Sequence, residues 1–197
     1  MGGECIVCSG DVRDEETARH VTYVAMEHFG KIDILVNNAG VNLRTSTVEM
    51  NMEQWSKVID TNLHGNLFFT KAALPYMIKQ KFGKIVNVSS TTAKSGHRNA
   101  IPAYGASKAG VDYLTKHLAL EMASHNINVN GVSPGPIHTD MIKQWTSEQH
   151  EKVLANIPLK RIGSPQNVAD AILFLSSSMS DFITGETINI NGGTYLN

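Results

Sequence analysis

This sequence predicts an α/β fold, a doubly wound parallel sheet of the Rossmann-like kind. Two observations predict it. Short β-like runs alternate with helical stretches along the whole chain, a pattern that sets parallel strands in one sheet with helices on both faces. Polar clusters also sit at the ends of the β-like runs: Asn37-Asn38-Ala39-Gly40, Ser89-Ser90 and Pro134-Gly135. The carboxyl end of a parallel sheet is where open α/β proteins bind ligands. At 197 residues, with no repeat, low-complexity tract or linker, the chain reads as a single domain over 1–197.

The elements are read in chain order. Residues 5–12, which open on Cys5-Ile6-Val7-Cys8, read as a strand, and 14–29 as a helix whose first turn carries Asp14, Glu15 and Glu16. Gly30 stops that helix. Residues 32–37 are a strand and 39–50 a loop. Residues 52–81 are mostly helical, with a break near Asn62 and a kink or interruption at Pro75. A strand at 84–89, a long helix at 103–124 and a strand at 127–132 come next. Residues 135–156 read as a mobile region holding one short helix, Ser147–Ala155. Ser164-Pro165 starts a helix to Ser176, with proline at its favoured first position. Thr187–Ile190 is the last strand.

Composition narrows the partners. The chain is 42% hydrophobic and 18% charged, with a net charge of −1, so there is no electrostatic case for nucleic acid or an anionic membrane. No apolar run reaches the roughly 18 residues of a membrane span. The start lacks the basic-then-apolar pattern of a signal peptide, and a cytoplasmic protein is expected. Cys5 and Cys8 form a C-x-x-C, but in a strand residues three apart face opposite sides, which argues against a redox pair. No second pair completes a zinc site, and the 8 histidines are scattered.

Tyr104-Gly105-Ala106-Ser107-Lys108 carries the chemistry. Residues at i and i+4 share one helical face, so the ammonium lies beside the phenol. A phenol titrates ordinarily near pKa ~10, and a neighbouring positive charge lowers that value. The pair is therefore expected to move a proton to or from a carbonyl–alcohol oxygen. By itself Y-x-x-x-K fits an ordinary helix with a half-buried Tyr and a solvated Lys. The polar clusters at the strand ends, with Asn62 in Asp60-Thr61-Asn62-Leu63-His64-Gly65, outweigh that reading.

Taken together and in this order, these residues resemble the short-chain dehydrogenase/reductase family, most closely the 3-oxoacyl carrier-protein reductases. The resemblance runs from Asp11-Val12 to Asn191-Gly192-Gly193. It implies an NAD(P)-dependent oxidoreductase that reduces a ketone, 3-oxoacyl thioester-like, to a secondary alcohol. Tyr104 would be the proton donor, Lys108 would lower the Tyr104 pKa and hold the nicotinamide ribose, and Ser90, rather than Ser89, would bind the substrate oxygen. Asn62 would sit at a helix break that places a water in a proton relay to Lys108; a plain helix-interior Asn bonded to backbone is the alternative.

For the cofactor, the resemblance implies contacts from Asp11 and Val12 to adenine, with a helix-capping Asp and a core Val as the alternative. Asn37, Ala39 and Gly40 would meet the ribose and nicotinamide side. Pro134, Gly135, Ile137 and Thr139 would hold the carboxamide and pyrophosphate. Residues 138–156 would form a substrate lid lined by Met141, Ile142 and Trp145, with His97 and Asn42 at the pocket edge. Plain packing is the alternative for Met141 and Trp145. The acyl-reductase likeness favours NADP over NAD.

Two helices carry apolar residues over a wide arc, with Leu67, Phe68, Leu74, Leu114, Leu118 and Met122, which reads as burial on more than one side; the resemblance implies that they form the contact of a homodimer or homotetramer. Lid residues alone would separate these substrates from sugars, polyols or hydroxysteroids. The family opens with a strand, a T-G-x-x-x-G-x-G turn and a helix, and no such turn occurs here. The first two βα units, about 60 residues, are thus expected to be absent. A catalytically inactive truncated isoform acting through oligomerisation is the reading from a different class.

Overall fold

The computed structural model describes residues 3–96, 100–139 and 146–196. Its centre is one sheet of four parallel strands in the order β1 (Ile34–Asn37), β2 (Gly83–Val88), β3 (Ile127–Pro134) and β4 (Thr187–Ile190). The register sets Leu35 beside Ile85, Ile85 beside Val129, and Val132 beside Ile188.

Period-two alternation explains why the sheet is covered on both faces. Ile85, Ile127 and Val129 point to one side, where they pack with Ala73 and Met77 of α3 (Gly65–Gln80) and Leu118 and Met122 of α4 (Pro102–Met122). Val86 and Val132 point to the other side, against Leu175 of α6 (Pro165–Ser176). The doubly wound architecture is therefore present.

Local chemistry sets the helix ends. Asp14 caps α1 (Glu15–Phe29), its side chain accepting from the Glu16 backbone N–H. Gly30 ends that helix at φ 74°, a left-handed conformation glycine adopts without a Cβ clash. Capping boxes start α2 (Met52–Ile59) at Asn51, α5 (Ser147–Ala155) at Thr146 and α6 at Ser164.

Three expectations change. The break near Asn62 is a turn of π-helix over Asp60–His64, between α2 and α3. Pro75 does not interrupt the helix: α3 continues from Gly65 to Gln80 with the proline inside it. Proline leaves the Lys71 carbonyl without its helical donor, but Lys71 is exposed, so water can serve that carbonyl.

The third change is the largest. Residues 5–12 form no strand. A strand requires a neighbour to take its backbone groups, and residues 3–10 make no backbone–backbone hydrogen bond to described residues. Val7 is 90% exposed. At the sheet, β1 is an edge. Leu35 packs on the core, while Ile34 and Val36 on the opposite face are 46% and 40% exposed.

Candidate active site

The carboxyl ends of β1, β2 and β3 and the first turns of α4 converge on one place. Tyr104 lies in the first turn of α4, which starts at Pro102. Its ring packs with Val58, Ile101 and Ala103. One turn later the Lys108 side chain runs inward, 4% exposed. Its Nζ lies 5.9 Å from the Tyr104 ring centroid and donates to the Val88 carbonyl at 2.7 Å. Ser90, just past the end of β2, lies close enough to the Tyr104 phenol for its hydroxyl to favour the phenolate. Its Oγ also accepts from the Thr92 backbone N–H at 3.2 Å, which caps a short 3-10 turn and fixes the hydroxyl.

The electrostatics differ from the expected lowering of the Tyr104 pKa. Burial of the phenol raises it, and the Ser90 hydroxyl lowers it only in part. The Lys108 ammonium, with its Nζ 5.9 Å from the ring centroid, does not reverse that rise. Burial brings the Lys108 pKa down to about 8, against a smaller upward pull from Asp112. In this state Tyr104 is a protonated phenol at neutral pH, suited to giving a proton away.

Asn62 is buried inside the π-helical turn. Its Oδ1 accepts from the Val41 N–H at 2.8 Å, and its Nδ2 donates to the Val41 carbonyl at 3.0 Å and to Ser107 Oγ at 3.1 Å. The amide pairs with a peptide edge as a neighbouring strand would. Both of its N–H groups are in use, so the side chain clamps the loop after β1 onto α4. A Cβ on Gly40 would stand 3.4 Å from both Asn62 Oδ1 and Lys108 Nζ. Glycine therefore leaves a cradle above the ammonium that a side chain would fill.

The remaining expected residues fall in several places. Ala39 and Gly40 are exposed beside the cradle. Asn37 points away from it, donating to Thr70 Oγ1 and Asn87 Oδ1 at 3.0 Å each, in a buried amide network with Asn66 and Thr115. Pro134 ends β3, and the Gly135 N–H bonds the Ile190 carbonyl. Ile137 pairs with Gly163 in an isolated bridge, and Thr139 is exposed.

Val12 packs at Gly65, where a Cβ would lie 3.0 Å from the Val12 carbonyl. The Asp11 carboxylate is gripped by Arg13, through the guanidinium at 2.6 Å and the backbone N–H, which hold its pKa down to about 2. The capping role that Asp11 offered falls to Asp14. Asn42 is described and its buried Oδ1 has no partner among the described residues, whereas His97, Met141, Ile142 and Trp145 lie outside the described residues.

Sequence reasoning missed Ser107. It is fully buried and joins the Asn62 amide to the Tyr104 carbonyl, to which its Oγ donates at 2.8 Å. Its signal was present: it follows Tyr104 by three positions, on the same helical face. Two open clefts of about 500 Å³ and about 450 Å³ lie elsewhere, one at Lys94, Asp112 and Tyr195, the other at Pro136, Arg161 and Asn191. Neither contains Tyr104. Tyr104, Lys108 and the small residues beside them converge outside both clefts.

The family model described as enoyl-(acyl carrier protein) reductase matches residues 1–195. The chain belongs to the short-chain dehydrogenase/reductase family. It is 44% identical over 186 residues to the 3-oxoacyl-[acyl-carrier-protein] reductase FabG of Thermotoga maritima, covering 94% of this chain and 75% of that protein. It is 38% identical over 195 residues to the FabG of Staphylococcus aureus, covering 99% of this chain and 79% of that protein. A crystal structure from Agrobacterium tumefaciens, of a protein proposed to be a gluconate dehydrogenase, superposes with a TM-score of 0.89 at 34% identity. That match covers 94% of this chain and 74% of the other. Membership makes the chain an NAD(P)-dependent oxidoreductase by family. No described helix is long and apolar enough to cross a membrane.

Proposed function

We propose that this chain carries the acid–base half of an NADP-dependent ketone reductase whose substrates are 3-oxoacyl thioesters or similar apolar ketones. The observation that carries the proposal is the meeting of a buried, protonated Tyr104 with the Ser90 hydroxyl beside its phenol and the Lys108 ammonium by the ring. The names of the relatives support the substrate class. The Agrobacterium structure favours a second reading, oxidation of a sugar-acid alcohol at the same residues.

The residues present fit one end of a nicotinamide dinucleotide. Lys108 uses one of its three donors on Val88 among the described residues, and the missing side chain at Gly40 leaves room beside the ammonium. That donor set suits a ribose diol. When bound, the nicotinamide supplies or accepts a hydride. The other end fits poorly: the 197 residues contain no glycine-rich turn opening a helix N-terminus, the usual pyrophosphate anchor.

The steps that belong to this chain are three. Ser90 holds the substrate oxygen and stabilises charge growing on it. Tyr104 delivers its proton to that oxygen as the hydride arrives. Lys108 holds the ribose, and its positive charge favours the phenolate left behind. Asn62 and Ser107 keep the Val41 loop and α4 in register, so the π-helical break is the place where main chain would position a relay water. Exposed Tyr113 and Leu120 on α4, with Leu67 on α3, support a homodimer or homotetramer.

The test is a substrate panel. The part of the Thermotoga relative that precedes its matched region is fused ahead of this chain, and NADPH consumption is followed with acetoacetyl thioester, a ketosteroid and a sugar. The thioester is expected to be the best substrate. Preference for gluconate or glucose with oxidised cofactor would replace this reading with the second.

A further inference from the structure

The N-terminal segment holds a feature that the oxidoreductase site does not use. Cys5 and Cys8 are the only two cysteines of the chain, and both are free thiols. Cys5 is exposed and Cys8 half-buried. In a strand their Cα atoms would stand about 10 Å apart, at about 3.3 Å per residue, and the side chains would face opposite sides. A sheet would hold them there. Here no sheet does. Residues 3–10 make no backbone–backbone hydrogen bond to described residues, and Ile6-Val7 between the thiols pack into no core, Val7 being 90% exposed. The segment is tethered at its ends, by Glu4 to His28 at 2.6 Å and by Val12 against Gly65.

A four-residue turn brings the first and last Cα within about 7 Å, inside the span a disulfide bridges. With no ladder to break, Cys5-Ile6-Val7-Cys8 can close into that turn at the expense of the exposed Glu4–His28 contact and the partial burial of Ile6 and Cys8. We propose that Cys5 and Cys8 are a dithiol site that a low-molecular-weight disulfide, such as oxidised glutathione, converts to an internal disulfide. One cysteine thiolate attacks a glutathione sulfur, the S–S bond breaks, and one glutathione leaves and takes up a proton. The second cysteine loses its proton, attacks the protein sulfur of the mixed disulfide and releases the second glutathione. Two protein thiols are oxidised by two electrons, and one glutathione disulfide becomes two thiols. The ring closes over two intervening residues, so the second step outruns capture by another chain.

The experiment uses the whole chain, dilute, at mildly alkaline pH with excess oxidised glutathione, read by intact mass. The wild type is expected to lose two hydrogen masses, to keep no glutathione and to return to the dithiol with a reducing agent. Cys5→Ser and Cys8→Ser, both outside the core, are expected to stop at one stable glutathione adduct each. A wild type that retains glutathione on either cysteine, forms disulfide-linked dimers or stays reduced would overturn the proposal.

Discussion

Lys108 is a buried cation with a structural cost that pH can relieve. Burial lowers its pKa from 10.5 to about 8, and every tenfold loss of proton affinity corresponds to about 1.4 kcal/mol. The charged form therefore destabilises the fold by about 3 kcal/mol at neutral pH. Linkage gives the sign. Between pH 8 and 10.5 the unfolded chain holds a proton on this lysine that the folded chain has released, so folding stability rises with pH across that window. Below pH 8 both states are charged and the full cost stands. Lys108→Met removes the titration while leaving the Val88 carbonyl without its donor, a pH-independent loss. Urea unfolding of both proteins from about pH 7 to about pH 10 measures the difference. The stability of the wild type should climb relative to Lys108→Met by about 2 kcal/mol over that range. A difference that is flat in pH would refute the buried ammonium, and a difference of opposite sign would mean that an unseen anion stabilises it.

The same geometry carries further outcomes. Asn87→Ala removes the shared acceptor of the Asn37 and Asn66 amides and the donor to Thr115 Oγ1, and chemical denaturation should show a loss of about 3 kcal/mol. Val36→Lys puts a charge on the open edge β1, and light scattering on heating should show slower aggregation than in the wild type. The 197-residue chain by itself, lacking a pyrophosphate anchor, should give no saturable NADPH signal in a fluorescence titration; tight binding would mean that another part of the chain replaces the glycine turn.

Legibility varied with how local the physics was. Helix boundaries set by their own caps were readable: Ser147–Ala155 and the start at Ser164-Pro165 are where the sequence put them. Strand 187–190 matched as well, because its apolar run lies between turn residues. Residues 5–12 were misread because a strand exists only through its neighbours, and an apolar run does not reveal whether one is there. Pro75 misled for a related reason, since its effect depends on whether water reaches one carbonyl. At the site, the Tyr104–Lys108 spacing gave their adjacency. It could not give the sign of the Tyr104 shift, which depends on how deeply α2 and α4 bury the ring. The spacing put Ser107 on the Tyr104 face, but its bond to Asn62, far away in sequence and brought close by the π-helical turn, was not legible.

The central claim is that Tyr104 is the proton donor of a hydride-transfer site. Its most direct test is single-turnover reduction of an acetoacetyl thioester by the Thermotoga fusion, comparing Tyr104 with Tyr104→Phe. Loss of the hydroxyl should slow the chemical step by roughly 10²–10⁴-fold, with NADPH affinity and thermal stability nearly unchanged. An equal rate in the two proteins, with the same pH dependence, would contradict it.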